Sequence, residues 1–169
     1  MHEGLDFDAF ATSRSRRLFQ VAYLMCGDWH QAQDLVQITL SKLYPVWGRL
    51  QRGSSDAGLD AYARKVLLRS YLSHRRLKRS GEVAVAEFPE TAAAVGVAPE
   101  LRMTLLDALR RLPPRNRAVV VLRYLEDYSI ESVAEMLGTS IGAVKSLNTR
   151  SLARLRELLG EDRELLFRN

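Results

Sequence analysis

The stretch that decides the fold runs from residue 129 to residue 159, SIESVAEMLGTSIGAVKSLNTRSLARLRELL. Ser129 is placed to cap a first helix, whose apolar residues recur at helical spacing until Gly138. Glycine suits the left-handed residue between two helices that meet at a steep angle. Ser140 can then cap a second helix from Ile141 to about Leu159. The pattern predicts a helix-turn-helix.

The second predicted helix has an apolar side and a basic side. On a helical wheel, the residues that must be buried share one side: Ile141, Val144, Leu152, Leu155 and Leu159. The opposite side holds small residues flanked by long cations: Gly142, Lys145, Ser146, Thr149, Arg150, Ala153 and Arg156. Such a surface can enter the major groove of DNA while its cations reach phosphates or base edges. A solvated helix face would show a similar charge pattern, but the capped helix and glycine turn before it favour DNA recognition.

The composition indicates a polyanionic partner and excludes an internal disulfide. The chain has 169 residues, is 47% hydrophobic, carries a formal net charge of +5 and contains one cysteine, Cys26. That length suffices for one ordinary core or two small ones. The sequence shows neither an apolar run long enough to span a membrane nor a basic-then-apolar leader, so we expect a soluble cytoplasmic protein. Cys26 lies among apolar residues and is expected to be a buried, unreactive thiol.

Helical spacing in the first half of the chain predicts three helices. The first runs from Asp6 to about Met25, and the second from Trp29 to about Trp47. Pro45 should kink or shorten the second helix near its end. The polar, turn-rich segment Arg49 to Gly58 is expected to be a loop, and the third helix is expected over Leu59 to Lys78.

The third predicted helix carries charge of one sign. Between Ala61 and Arg79 all charged residues are cations: Arg64, Lys65, Arg69, Arg75, Arg76, Lys78 and Arg79. Tyr62, Tyr71 and His74 are interleaved with them, so phosphate attraction is combined with rings on which unpaired bases could stack. A solubilising basic face is the alternative. Because solvated helices usually mix both signs, the pattern favours contact with nucleic acid.

The second predicted helix carries a polar row. Asp34, Gln37 and Ser41 recur at spacings of three and four, so they share one side of the helix. Taken alone, such a row favours a solvated surface over a binding site.

The second half of the chain predicts further helices before the helix-turn-helix. Glu100 to Leu112 has an apolar stripe, and Pro113 and Pro114 then break the helix. Arg115 to Leu125 is predicted to be the next helix from its spacing and length. The run Val119 to Val121 within it would locally favour a strand.

Composition changes at Ser80. Residues 80–99, SGEVAVAEFPETAAAVGVAP, contain three glutamates, two prolines, two glycines and no cation, which is typical of a linker. Its acidity would either repel nucleic acid or mimic it inside a positively charged channel, and the sequence leaves both open. The predicted fold is therefore all-α, with two small helical domains, 1–79 and 100–160, joined by a flexible acidic linker and followed by a tail, 161–169.

Two stretches connect this organisation to a known family. Residues 28–40, DWHQAQDLVQITL, match the pattern D-x-x-x-A-x-D-L-V-Q-x-T-L, and residues 112–146, LPPRNRAVVVLRYLEDYSIESVAEMLGTSIGAVKS, match a second conserved domain almost throughout. On these motifs the chain resembles the bacterial RNA polymerase sigma factors of the small, two-domain extracytoplasmic-function (ECF) type in the sigma-70 family. Within that type it resembles the actinobacterial SigE family group. The resemblance covers nearly the whole chain.

The resemblance implies a function in transcription initiation. Such a protein binds core RNA polymerase, directs it to specific promoters and helps open the −10 region, without catalysis or a cofactor of its own. The implied partners are the β′ clamp helices and β flap of the polymerase and promoter DNA. An anti-sigma factor is a further candidate partner, and no membrane partner is implied.

The resemblance also implies three groups of site residues. The residues implied to contact core polymerase are Asp34, Leu35, Gln37 and Ser41. Those implied to hold the −10 strand are Arg64, Lys65, Arg69, Tyr71, Arg75, Arg76, Lys78 and Arg79. Those implied to read the −35 element are Ser140, Lys145, Ser146, Thr149 and Arg150.

The chain departs from the family pattern inside both DNA-reading helices. Leu147 stands where many members have arginine, and Asn148 stands where many have an apolar residue. On the helical wheel Asn148 falls on the packing side. The asparagine that often helps to select the −10 base does not occur between Leu59 and Lys78. The sequence therefore does not predict the promoter that the chain prefers.

Two other classes of function fit the sequence less well. A stand-alone helix-turn-helix regulator would explain residues 129–159 equally, but it would not explain the motif at 28–40 or the basic third helix. An enzyme would need an active site. His2, His30 and His74 are scattered, and the sequence has no glycine-rich phosphate loop or metal-ligand spacing, so no candidate site is predicted.

Overall fold

The computed structural model describes residues 6–77 and 99–160, and within them the side chains of 6–74 and 104–160. The predicted linker up to residue 98 and the C-terminal tail lie outside the described residues. No strand occurs in the described ranges, which confirms the all-α prediction. None of the helices in these ranges is long and apolar enough to span a lipid bilayer.

Within residues 6–77, which we call the first module, the chain forms four α-helices. They are α1 (Phe7–Cys26), α2 (Trp29–Leu43), α3 (Trp47–Gly53) and α4 (Asp56–Leu77). The caps between α1 and α2 follow from the local sequence. Gly27 ends α1 with a φ of 70°, a left-handed conformation that favours glycine. The Asp28 carboxylate accepts a hydrogen bond from the backbone N–H of Gln31 at 2.9 Å and so begins α2.

Pro45 shortens the second helix, as predicted. It lies in a 3₁₀ segment, Tyr44–Val46, which directly follows α2. The predicted loop over residues 49–58 is wrong for most of its length, because only Ser54 and Ser55 are non-helical there. The chain returns to helix at Trp47, which is buried and lies 4.8 Å from the ring centroid of Phe10. That aromatic anchor stabilises α3 despite its polar, turn-prone composition.

Residues 99–160, which we call the second module, form four further α-helices. They are α5 (Pro99–Arg110), α6 (Pro114–Val120), α7 (Ile130–Leu137) and α8 (Ile141–Leu159). A π-helical segment, Val121–Leu125, continues α6. The valine run is helical, as predicted, because Val119 and Val121 are fully buried in the core and burial outweighs the local strand preference.

The helix-turn-helix is confirmed, including its caps. The Ser129 hydroxyl accepts a hydrogen bond from the backbone N–H of Ser132 at 3.1 Å. Gly138 ends α7 with a φ of 66°, and the Ser140 hydroxyl accepts from the backbone N–H of Ala143 at 3.1 Å. Each cap satisfies a backbone donor that the first turn of a helix leaves free.

The predicted buried side of α8 is correct except at two positions. Val144, Leu155 and Leu159 are buried, and the last two pack against apolar residues of α5. Ile141 is 43% exposed and Leu152 is only half-buried. Ile141 lies in the first turn of α8, away from the contact with α5, so periodicity alone overestimates how much of this side is covered.

The two modules share one hydrophobic core. A single cluster of buried residues contains Leu18, Leu67 and Tyr71 from the first module and Val119 and Val133 from the second. Helix α4 packs against α6 and α7, and α1 packs against α5 and α6. The sequence predicted two domains, and in this structure their packing faces meet.

Candidate nucleic-acid interface

The basic side of α8 is open to solvent along its length. All seven residues predicted on that side are exposed: Gly142, Lys145, Ser146, Thr149, Arg150, Ala153 and Arg156. Lys145, Ser146, Thr149 and Arg150 line a shallow depression at the middle of the helix. The small residues allow close approach of a duplex, and the flanking cations can then reach phosphates or base edges.

Two of the polar side chains on α8 are held by the helix itself. The Thr149 hydroxyl donates a hydrogen bond to the Lys145 carbonyl at 3.0 Å, and the Arg150 Nε donates to the Ser146 carbonyl at 3.3 Å. Arg150 is therefore held along the helix surface through its Nε atom. The Ser140 hydroxyl is engaged as the N-cap, which gives it a structural role besides any DNA contact.

The two residues that depart from the family pattern face inward. Leu147 packs against the shared core. The Asn148 side-chain amide donates a hydrogen bond to the Tyr124 hydroxyl at 3.0 Å, so the wheel's assignment of Asn148 to the packing side is confirmed. Tyr124 is 43% exposed and lies in the π-helical segment before the helix-turn-helix. Asn148 thus connects α8 to that segment.

The basic side of α4 is divided between surface and interior. Arg69 is exposed and Lys65 is half-buried, so both can reach a ligand in solvent. Arg75 and Arg76 lie within α4, but their side chains are not described, and Lys78 and Arg79 lie outside the described residues.

Two residues expected to hold the −10 strand are buried in this arrangement. Arg64 is 4% exposed and Tyr71 is 0% exposed. The Tyr71 ring lies in the shared core, with its hydroxyl 3.4 Å from Nη1 of Arg117. The expected direct contact of these two residues with DNA is therefore corrected for this arrangement: both face the second module, because α6 and α7 pack over α4.

The polar row on α2 is a surface feature. Asp34, Gln37 and Ser41 are all exposed, as a protein-binding face requires. Leu35 is 1% exposed and belongs to the core, so its expected contact with polymerase is corrected to a packing role. Sequence reasoning missed Ile38, which is 37% exposed and lies one turn after Asp34. Its spacing of four from Asp34 was the available signal.

Sequence reasoning also missed an ion cluster between the modules. The Glu126 carboxylate accepts from Arg64 Nη2 at 2.9 Å and forms an ion pair with Arg17 Nε at 2.8 Å. The side chains of Arg64 and Glu126 are only 5% and 6% exposed, respectively. No sequence signal identified this pairing, because Arg64 and Glu126 are 62 residues apart.

Cys26 was expected to be buried, and the structure places it at the edge of the core as a half-buried thiol. Burial raises the pKa of the Cys26 thiol to about 11. The thiol lies 3.3 Å from the Asp28 carbonyl, to which it donates. At neutral pH the thiolate is therefore scarce, which makes the residue a poor nucleophile. Among the described residues no three side chains of the metal-ligating types are grouped together.

The geometry defines a helix-turn-helix whose second helix has an exposed basic side, and comparison with known proteins gives the class of this protein. The profile of "Sigma-70 region 2" matches residues 10–80, and that of "Sigma-70, region 4" matches residues 102–155. The RNA polymerase sigma-E factor of Streptomyces coelicolor is 37% identical over 161 residues, which cover 94% of this chain and 89% of that protein. The ECF RNA polymerase sigma factor SigM of Mycobacterium tuberculosis is 29% identical, over 91% of this chain and 77% of that one.

Solved structures agree with this class. The sigma factor RpoE, in its complex with the anti-sigma factor NepR from Bartonella quintana, superposes with a TM-score of 0.73 and 26% identity, covering 93% of this chain and 98% of that one. The chain belongs to the sigma-70 family of RNA polymerase sigma factors, in its ECF group. It is a non-enzymatic initiation factor that binds core RNA polymerase and directs it to specific promoters. A stand-alone regulator is not favoured.

Proposed function

We propose that the two modules divide promoter recognition between them, with residues 1–79 acting at the −10 region and residues 100–160 at the −35 element. The observation that carries this proposal is the open basic side of α8 behind a capped helix and glycine turn. A helix-turn-helix presents such a side to the major groove. The first module would then supply the polymerase contact and strand opening, in the cytoplasm, where transcription takes place.

For the −35 element, we assign Lys145, Ser146, Thr149 and Arg150 to DNA contact. These four side chains are exposed and line the same depression. Arg150 is the candidate for reading a base, because a guanidinium can donate two parallel hydrogen bonds to guanine. Ser140 lies at the N-terminus of α8, where a backbone phosphate would also be favoured by the free N–H groups of the first turn.

For the polymerase, we assign the exposed row Asp34, Gln37 and Ser41 with Ile38 between them. Polar groups around one exposed apolar side chain form a small protein-binding patch. Leu35 stabilises the position of the patch, because its buried side chain anchors α2 in the core. The patch remains accessible while the modules are packed together, so docking to polymerase through α2 does not require them to separate.

For the −10 region, Lys65 and Arg69 are the cations of α4 whose described side chains can meet DNA without rearrangement. They lie four residues apart on one side of α4, so both can contact phosphates of the same DNA strand. A protein partner of the anti-sigma kind is also proposed. The solved relative RpoE is bound to NepR, and this chain covers nearly all of that structure.

Run-off transcription with purified core polymerase tests the proposed function. Adding the chain to core enzyme should produce a discrete transcript from a promoter selected by this factor, and size-exclusion chromatography should show a stable complex. A gel shift on the same promoter without polymerase should be weak. Tight, specific duplex binding in the absence of polymerase, together with no transcript in its presence, would instead support a stand-alone regulator.

Replacing Arg150 with alanine should distinguish base reading from phosphate contact. Loss of a base contact should weaken promoter binding by holoenzyme by about 1–3 kcal/mol and relax the preference at one −35 position. Loss of a phosphate contact would lower affinity equally for all sequences and reduce the salt slope by about one. Promoter libraries read by sequencing, with a salt titration, measure both.

The matched control is Arg115→Ala. Arg115 is exposed on α6, outside the helix that faces DNA, and its replacement changes the net charge by the same amount. It should leave promoter preference unchanged. If both variants behave alike, the assignment of the DNA-facing side of α8 is wrong.

A further inference from the structure

The modules are connected by a buried acid held between two arginines. The Glu126 carboxylate, just before the helix-turn-helix, receives Nε and Nη2 of Arg64 on one oxygen at 3.0 and 2.9 Å. Its other oxygen faces Arg17 Nε at 2.8 Å. Arg17 also donates through Nη2 to the Leu125 carbonyl at 3.2 Å. Both arginines belong to the first module, and the acid belongs to the second.

A single carboxylate does not satisfy this pair of guanidinium groups. Arg64 Nη1 is buried, and none of the described residues accepts a hydrogen bond from it. Both oxygens of Glu126 are already engaged, one by each arginine. A phosphodiester offers the same negative charge with additional ester and sugar oxygens as acceptors. The two arginines therefore form an anion site in which a backbone phosphate can accept more of the available hydrogen bonds than Glu126 does.

While the modules are packed together, α4 and α8 lie too close to each other to contact both promoter elements at once. Elements at −10 and −35 are roughly 25 base-pair steps apart, which is about 85 Å of straight duplex. In the structure α4 packs on α7 and α7 packs on α8. Two such helix contacts place α4 and α8 only about 20 Å apart. The stretch of about 20 residues between Leu77 and Pro99 can extend to about 70 Å, which permits separation of the modules.

We propose that Arg17 and Arg64 form a binding site for a backbone phosphate of the separated −10 strand, and that Glu126 occupies this site until the modules separate. Arg17 thereby becomes a DNA-binding residue on α1, outside the basic helix α4. Glu126 acts as an intramolecular competitor of DNA, so the apparent affinity for DNA is the intrinsic affinity multiplied by the fraction of molecules that are open. The claim that the bound phosphate belongs to the −10 strand rests on the proposed function. The claim that Glu126 and an anion compete for Arg17 and Arg64 does not.

The first test is whether Glu126 keeps the modules together. Glu126→Gln keeps the shape of the side chain but leaves two arginines beside a neutral amide, so like-charge repulsion favours separation. Small-angle scattering of the full chain should show a larger radius of gyration for Glu126→Gln than for wild type. Glu157→Gln is the matched control, because it makes the same change at an exposed pair within the second module.

A second variant, Arg110→Ala, should separate the modules without changing a residue of the anion site. Arg110 Nη2 donates to the Gly27 carbonyl at 2.8 Å, across the same interface. Arg110→Ala should therefore also enlarge the scattering envelope. Circular dichroism should show that both variants keep their helices. If neither variant changes the envelope, the proposed intramolecular competition is wrong.

The second test is binding of a fluorescent single strand of −10 sequence, without polymerase, over a salt series. Glu126→Gln should bind about tenfold or more tightly than wild type, because its site is no longer occupied. Adding Arg17→Ala to Glu126→Gln should reverse much of the gain and lower the salt slope by about 0.7, the value for one phosphate on a single strand. An unchanged slope would show that Arg17 does not contact phosphate and would overturn the proposal.

Failure here can be separated from failure of the proposed function. Wild-type run-off activity tests the function and does not depend on Glu126→Gln. A normal transcript from wild type, with equal strand affinity for Glu126→Gln and Glu157→Gln, would overturn only the anion site. Tighter binding of Glu126→Gln to a short polyphosphate as well as to DNA would support the site, whatever the promoter.

Discussion

Replacing Arg117 with methionine is expected to lower the free energy of unfolding by about 3–5 kcal/mol, because three buried carbonyls and one half-buried carbonyl would lose their donor. Arg117 is 3% exposed. Its guanidinium donates to the carbonyls of Leu109 at 2.7 Å, Arg110 at 2.8 Å and Leu112 at 3.1 Å. It also donates to the carbonyl of Met25 in the first module. Methionine would fill much of the space without replacing any of these bonds.

The measurement is urea or thermal unfolding of the full chain, followed by circular dichroism. For a chain of this length the loss corresponds to a fall in melting temperature of about 10 °C. Arg115→Met is the matched control, since Arg115 is exposed on the same helix α6 and should change stability by at most about 0.5 kcal/mol. Equal midpoints for the two variants would mean that the carbonyls around Arg117 are hydrated or paired by other groups.

The double variant Asp34→Ala with Gln37→Ala is expected to weaken binding to core polymerase by about 2–4 kcal/mol, roughly 30- to 1000-fold. Both side chains are exposed beside Ile38, so their loss removes polar contacts from the proposed patch without opening the core. Alanine also has a higher helix propensity than either residue, so α2 should remain intact. Titration of labelled polymerase with the purified chain measures the affinity directly.

The control for that variant is Asp8→Ala with Thr12→Ala. These residues are exposed on α1 and remove one acid and one polar group at a spacing of one helical turn. Polymerase affinity should then be unchanged. Normal affinity in the α2 double variant, with helicity preserved, would show that the exposed row on α2 is not the docking face.

Much of the fold was predictable because its signals are local. Ser129 and Ser140 each cap a helix through a hydrogen bond to a backbone N–H three residues later. Gly27 and Gly138 end helices in the left-handed conformation that glycine favours. The exposed basic side of α8 also followed from helical periodicity. These features depend on residues within one or two turns of each other, so sequence alone was sufficient to predict them.

The loop expected over residues 49–58 shows where local signals fail. Its glycines, serines and polar residues favour turns, yet Trp47 packs on Phe10 and the chain continues as helix to Gly53. Leu35 is a similar case. A family motif implied that it contacts polymerase, but the burial of its side chain depends on the helices that pack around α2. Local composition reports neither kind of contact.

The sequence by itself determined most of the helices, with the exception of α3, together with their caps, the helix-turn-helix and the family. Only the tertiary structure decided which cations face solvent. Arg64 carries the same sequence signal as Lys65 and Arg69, but the packing of α6 and α7 on α4 buries Arg64 and leaves the other two accessible. Arg64 meets Glu126 across 62 residues, and Arg117 meets Met25 across 92. Contacts over such separations come from the packing of whole helices, and no local pattern in the chain encodes them.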